Sequence, residues 1–371
     1  MIDTIYASPG LTTKIMESNL ERIGDISSYK NEYILESCVW EITTSCCFDC
    51  RHCGSSAGKA QVNELTTEEC IDVAKQLSSL GCKRASLIGG EVFMRDDWAY
   101  ITEVLTTLGL RVSIITNGFL MTPQIIRNIK AAGVESIAVS IDGDKEAHDS
   151  FRQNGSFERA INTIDTLIKE SIPVAVITTI NGENIECLEG IYSVLKNCDI
   201  YAWQLQACNP MGNANEEDVD CHFDFNEVIR FVERHMSESK FIIGIADNIG
   251  YFTESEGKLR GNLSGYATFR GCSAGIRTIG IDSVGNVRGC ESMYDNCFNE
   301  GNLRYTSLKE IWESPYAFKY NRQFSTNMLT GRCAECNEGN RCRAGCRSYN
   351  YFSHGNLFES QACVREKGQV R

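Results

Sequence analysis

Nineteen cysteines in 371 residues constrain this chain more than any other feature. A disulfide scaffold would be short and exported. The opening Met1-Ile2-Asp3-Thr4-Ile5-Tyr6 has neither the basic region nor the apolar core of an export signal. The thiols are therefore read as reduced and the protein as cytoplasmic. Cys38, Cys47, Cys70, Cys82, Cys187, Cys198, Cys208 and Cys221 fall outside any ligand spacing and read as small buried hydrophobes. The rest form two groups: Cys46, Cys50 and Cys53, then Cys272, Cys290, Cys297, Cys333, Cys336, Cys342, Cys346 and Cys363.

The first group spells C-x3-C-x2-C. Structural zinc takes four ligands, and no fourth Cys or suitably spaced His stands nearby. Three thiolates suit a four-iron cluster whose last iron stays open to another ligand. A net charge of −13 argues against a nucleic-acid partner, because phosphates need a basic surface. No apolar run reaches the roughly 18–20 residues that span a bilayer, so no membrane partner is expected.

Around the triplet the chain alternates strand and helix. Strands are expected at 37–44, 84–88, 111–115, 134–139, 174–180 and 200–206, with helices at 66–80, 96–108, 123–132, 157–170, 183–196 and 226–238. Six such units imply parallel strands with right-handed crossovers. They are too few for a closed eight-fold barrel, so a partial barrel or an open doubly wound sheet follows. The triplet, Gly89-Gly90-Glu91, Thr116-Asn117-Gly118, Ser140-Ile141-Asp142 and Asn209-Pro210-Met211 each follow a strand. In a parallel sheet those positions share the carboxyl edge, where active sites collect.

These motifs resemble the radical S-adenosylmethionine (radical SAM) enzymes over about residues 37–371. The resemblance implies a partial (β/α)6 TIM-like barrel at 37–247, preceded by an extension at 1–36. It implies that Cys46, Cys50 and Cys53 hold a [4Fe–4S] cluster whose open iron binds SAM. Reductive cleavage of SAM would release a 5′-deoxyadenosyl radical that abstracts hydrogen from an unreactive C–H bond. Gly89, Gly90 and Glu91 look like the SAM amino-group motif, with Ile88 and Val92 where many relatives have Thr and Pro. Ser140 and Asp142 look like the ribose-binding pair, and His52 sits where the family places an aromatic beside adenine. Asn117 and Met211 join the same pocket by strand position. His148, Asp149 and Arg152 are read either as a structural cap and ion pair or as SAM contacts.

Residues 248–371 resemble a linker and a cysteine-rich SPASM extension with two auxiliary [4Fe–4S] clusters, a zinc domain being the alternative. By that resemblance Cys333, Cys336, Cys342 and Cys363 hold the distal cluster. Cys272, Cys290 and Cys346 hold the proximal one, its fourth ligand being Cys297 or an open position. Residues 278–281 and 287–288 read as a hairpin, and 307–312 resembles the helix that bridges the two cluster sites. Glu291, directly after Cys290, is a candidate proton acceptor set against a mere surface carboxylate.

SPASM members mostly oxidise or cross-link peptides. The expected function is hydrogen abstraction from a residue of a ribosomally made precursor peptide, giving a cross-link or another oxidative modification. The alternatives are sulfatase-maturase-like oxidation of a Cys or Ser, peptide-derived cofactor maturation, epimerisation, small-molecule dehydrogenation, and a non-enzymatic electron carrier. A flavodoxin- or ferredoxin-type reductant is implied. A separate leader-binding protein presents the leader, or residues 1–36 help, or none is needed.

Overall fold

The computed structural model describes residues 33–214, 219–264 and 268–365. The extension at 1–36 therefore lies almost wholly outside the described residues. Seven strands run parallel: β1 (Ser37–Glu41), β2 (Arg84–Ile88), β3 (Arg111–Thr116), β4 (Ser136–Ser140), β5 (Val174–Ile180), β6 (Ala202–Ala207) and β7 (Ile242–Ile245). They are almost entirely buried, as expected of parallel strands covered on both faces. Residues 242–245 were not anticipated as a strand. The run is only four residues long, and its neighbour β6 supplies the pairing that makes it one.

The helices follow the spacing of apolar residues. Helix Thr67–Ser79 starts at a capping box: Thr66 accepts from the Glu69 amide, and the Glu69 carboxylate accepts from the Thr66 amide at 2.8 Å. Its buried Cys70, Val73, Ala74 and Leu77 face the sheet at helical spacing. Helices Trp98–Thr107, Pro123–Ala131, Ser156–Lys169, Leu188–Leu195 and Phe225–His235 occupy the other expected positions. An additional helix, Lys145–Phe151, fills the connection after β4.

The sheet does not stop at residue 247. Strand β8 (Thr278–Ile281) pairs parallel with the free side of β1, and β9 (Asn286–Arg288) and β10 (Gly301–Asn302) extend it antiparallel. Among the described residues the strand order is β10-β9-β8-β1-β2-β3-β4-β5-β6-β7, an open sheet of ten strands. The expected hairpin is therefore present, but the cysteine-rich segment builds it onto the barrel's own sheet. The short helix Leu308–Glu313 docks on the first barrel helix, its Leu308 amide donating to Gln76 Oε1 at 2.6 Å. Among the described residues no helix is long and apolar enough to cross a membrane.

Candidate active site

The loop after β1 carries the first three thiols and is closed on itself. Cys46 N donates to Gly58 O at 2.9 Å and Gly58 N to Thr44 O at 2.9 Å. Loops from the carboxyl ends of other strands then clamp it. Gly90 N donates to Thr43 O at 2.8 Å and Glu91 N to Ser45 O at 2.7 Å. A Cβ on Gly90 would stand 2.3 Å from the Ser45 carbonyl oxygen, so only glycine lets these two backbones approach. Phe48 packs edge-on against Phe119, ring centroids 5.2 Å apart. After β4, Arg51 N donates to Phe151 O at 3.0 Å. After β6, Asn213 Nδ2 donates to Cys50 O and Asn213 N to Cys53 O. Gly212, at φ +63°, has its Cα against the Cys53 and Gly54 carbonyls, where a Cβ would clash at 2.4 Å.

This packing suits a thiolate-held cluster. Backbone N–H groups face two sulfurs, Phe48 N to Cys46 Sγ at 3.4 Å and Ala57 N to Cys53 Sγ at 3.3 Å. Such bonds stabilise sulfur-borne negative charge. Burial pushes the Cys50 thiol up to about 11, against the pull of Arg152.

Below the loop lies a cavity of about 250 Å³. Its walls include Cys46, Cys50, His52, Cys53, Gly89, Gly90, Asn117, Ser140, Met211 and Glu291, so one cavity gathers most of the residues singled out from sequence. The imidazole of His52 keeps Nδ1 buried without a hydrogen-bond partner while Nε2 lies 3.1 Å from Asp142 Oδ2. An unmatched polar atom at the cavity, beside accessible glycine backbone and the Ser140 hydroxyl, fits a polar ligand such as SAM.

Two expected contacts stand behind the wall. Glu91 is fully buried; its carboxylate accepts from Thr116 Oγ1 and from Asn117 N, each at 2.9 Å. Burial pushes it up to about 7 against the pull of those bonds. In this structure Glu91 shapes the Thr116-Asn117 turn instead of lining the cavity. Asp142 likewise turns away. Its Oδ2 takes the Arg152 Nε at 2.5 Å and Oδ1 takes Thr179 N at 2.8 Å. Burial alone would raise it, yet Arg152 and then His52 hold its carboxyl far below the usual carboxylate range. The His148 Nδ1 accepts from Asp142 N at 3.1 Å, and Asp149 accepts from Gly155 N and Phe157 N at 2.8 Å each. These two are structural, whereas Arg152 both pairs with Asp142 and lines the cavity.

Sequence reasoning missed Thr179, Gln206 and Ser292 in the walls, reached Asn209 only as part of the motif after the sixth strand, and assigned Cys208, also a wall residue, to the core. For Thr179, Gln206 and Cys208 a position at or just after a strand end was the available signal. It also missed Glu41, the last residue of β1, buried and accepting from the Tyr294 hydroxyl at 3.2 Å. Burial pushes Glu41 up to about 8, Ser55 pulls it down, and Glu291 adds to the rise. Glu291 itself is raised by burial and lines the cavity.

The C-terminal thiols form two sets. Cys342 lies within electrostatic range of Cys363, Cys333 and Cys336, and Ser360 N donates to Cys333 Sγ at 3.3 Å. Cys346 is within range of Cys272 and Cys290, and its amide donates to the Tyr251 hydroxyl at 2.9 Å. Cys297 does not join that second set. It is exposed and its Sγ meets the Tyr351 hydroxyl at 3.6 Å, because the Asp295 side chain caps its own turn and holds it outward.

A parallel sheet that aims a three-thiol loop and a polar cavity at one edge, with two further thiol sets beside it, defines a multi-cluster iron–sulfur enzyme. The Radical SAM superfamily model matches residues 40–195, and the SPASM iron–sulfur cluster-binding domain matches residues 272–337. The chain belongs to the radical SAM superfamily and carries a SPASM domain; SAM, its [4Fe–4S] cluster and auxiliary clusters are its cofactors. The AdoMet-dependent heme synthase of Methanosarcina barkeri is 32% identical over 89% of this chain and 97% of its own. The mycofactocin maturase MftC of Mycobacterium tuberculosis is 25% identical over 85% and 79%. Streptococcus suis SuiB bound to S-adenosylmethionine shares the fold, with TM-score 0.74 at 14% identity over 96% of this chain and 88% of its own.

Proposed function

We propose that this enzyme oxidises a C–H bond in a residue of a ribosomally made peptide, leaving a cross-link or another two-electron modification. SAM and its cluster, when bound, would supply the carbon radical that takes one hydrogen atom, and the auxiliary clusters would take up the electron that follows. Cys46, Cys50 and Cys53 hold the SAM cluster, and the Gly89-Gly90 backbone, Asn117, Ser140, His52 and Met211 hold SAM. Asp142 holds His52 and Arg152 in place from behind, and Glu91 holds the Asn117 turn. Glu291 stands at the cavity to take the proton that the oxidised substrate releases.

The observation that carries the choice of a peptide is the charge of the cavity. Among the described lining residues the only Lys or Arg is Arg152, already bound to Asp142, and Glu291 adds a carboxylate. Such a site suits a neutral peptide side chain better than a polyanionic small molecule. MftC, named as a maturase, supports the same reading, and SuiB, which shares the fold, is known bound to a precursor peptide. A second reading, oxidation of a heme precursor, is favoured by the identity and coverage of the heme synthase relative.

The test is anaerobic reconstitution with iron, sulfide, SAM and dithionite, then incubation with a short peptide encoded beside the gene or with a heme precursor. The expected result is 5′-deoxyadenosine together with peptide lighter by about two hydrogens per event, the balance of one hydrogen atom, one electron and one proton. Conversion of the heme precursor with the peptide untouched would establish the second reading instead.

A further inference from the structure

Arg347 follows Cys346 in sequence and is completely buried, at 0% exposure. A buried guanidinium needs a counter-charge. Yet among the described residues no carboxylate bonds it. Nε donates to Asn321 Oδ1 at 3.1 Å, and Nη1 donates to the carbonyls of Arg343 at 2.5 Å and Leu357 at 2.6 Å. One face lies over the Phe358 ring, 4.6 Å from its centroid. Nη2 is buried with no partner at all.

The placement of those partners is informative. Arg343 is the residue after Cys342, a thiol of the distal set. Asn321, which holds Nε, also donates through Nδ2 to the Cys272 carbonyl at 3.3 Å, and Cys272 belongs to the proximal set. The guanidinium is thus tied to the distal set directly through the Arg343 carbonyl and to the proximal set through the Asn321 side chain. The thiols of Cys272, Cys342 and Cys346 are in turn its electrostatic neighbours.

We propose that Arg347 is the shared counter-ion of the two auxiliary clusters, with its unmatched Nη2 N–H directed to cluster or cysteine sulfur. This rests on the reading that the C-terminal thiols hold clusters. Thiolate-ligated clusters carry net negative charge, and one more negative charge arrives on reduction. A fixed positive charge between them favours the reduced forms and raises both potentials, and the surrounding low dielectric strengthens the effect. Arg347 is therefore a positioning and tuning residue: it makes the auxiliary clusters better acceptors without touching substrate.

The test is redox titration of the reconstituted holoenzyme, followed by EPR, for wild type, Arg347→Gln and Arg347→Lys. The expected result is that Arg347→Gln lowers both auxiliary midpoint potentials and leaves the SAM-cluster potential unmoved, while Arg347→Lys recovers most of the shift. Unchanged auxiliary potentials in an Arg347→Gln protein with full iron content would overturn the proposal. Should that variant fail to load its clusters, wild-type holoenzyme labelled with 15N in the arginine guanidinium decides. A nitrogen coupling to a reduced auxiliary cluster is expected, and none at either cluster overturns the proposal. Wild type that binds iron for the SAM cluster alone would instead remove the auxiliary-cluster reading on which it rests.

Discussion

The N-terminal and C-terminal thiol sets use cysteine in opposite ways. Cys46, Cys50 and Cys53 sit on a loop that borders the cavity, and three thiolates leave one iron without a protein ligand. Cys333, Cys336, Cys342 and Cys363, the proposed distal set, are two of them buried, and none lines that cavity. The proximal trio of Cys272, Cys290 and Cys346 stands between these extremes, because the residue after Cys290, Glu291, reaches the cavity. On the proposed assignment, a three-thiolate cluster at the cavity binds and cleaves a ligand, whereas a four-thiolate cluster away from it stores and passes electrons.

The sharpest way to break this contrast is to delete one thiol from each set. Cys50→Ala is expected to abolish 5′-deoxyadenosine formation entirely and to remove about a third of the iron, as one four-iron cluster of three. Cys342→Ala is expected to keep SAM cleavage yet lose modified product. If Cys342→Ala cannot cleave SAM, or Cys50→Ala still can, the division of labour is wrong. Gly90→Ala comes next. Its Cβ meets the Ser45 carbonyl, so the thiol loop must shift, and SAM cleavage should fall by at least ~10²-fold while the auxiliary-cluster EPR signals persist.

Asp142→Asn tests the support behind the cavity. It leaves Arg152 charged without its partner and should cost about 3–5 kcal/mol in urea unfolding, with a higher KM for SAM. The sign of its pH dependence is fixed by the depressed folded-state value. The pair stabilises above the unfolded pKa of 3.8 and is lost only as pH falls through the lower folded value, so Asp142 adds no slope between pH 5 and 8.

Glu41 predicts the reverse. Its folded-state value is raised from 4.5 to about 8, so the stability associated with its protonated form is fully present below pH 4.5 and lost as pH rises towards 8. Glu41→Gln should remove that slope and make the variant more stable than wild type above pH 8, by an amount on the order of a few kcal/mol, as read from unfolding curves at pH 6 and 9. The smallest effect is expected from Cys297→Ala. Its thiol points to Tyr351, so the cluster spectra should not change; a lost or altered proximal-cluster signal would return Cys297 to the ligand set.

Sequence alone was enough to order the elements and to place the chemistry at one edge of a parallel sheet. Strand–helix alternation has few topological solutions, and residues after parallel strands must converge. The spacing of Cys46, Cys50 and Cys53 is local, so it is legible without a fold. Burial is not local. Only the tertiary structure decided that Glu91 and Asp142 stand behind the cavity, that Cys297 turns outward, and that β8 joins β1 to make one sheet of both regions. The same holds for Glu41 and Arg347, ordinary letters in the chain until packing removes water from around them. The cost of an unpaired charge depends on neighbours far apart in sequence, and folding alone brings those neighbours together.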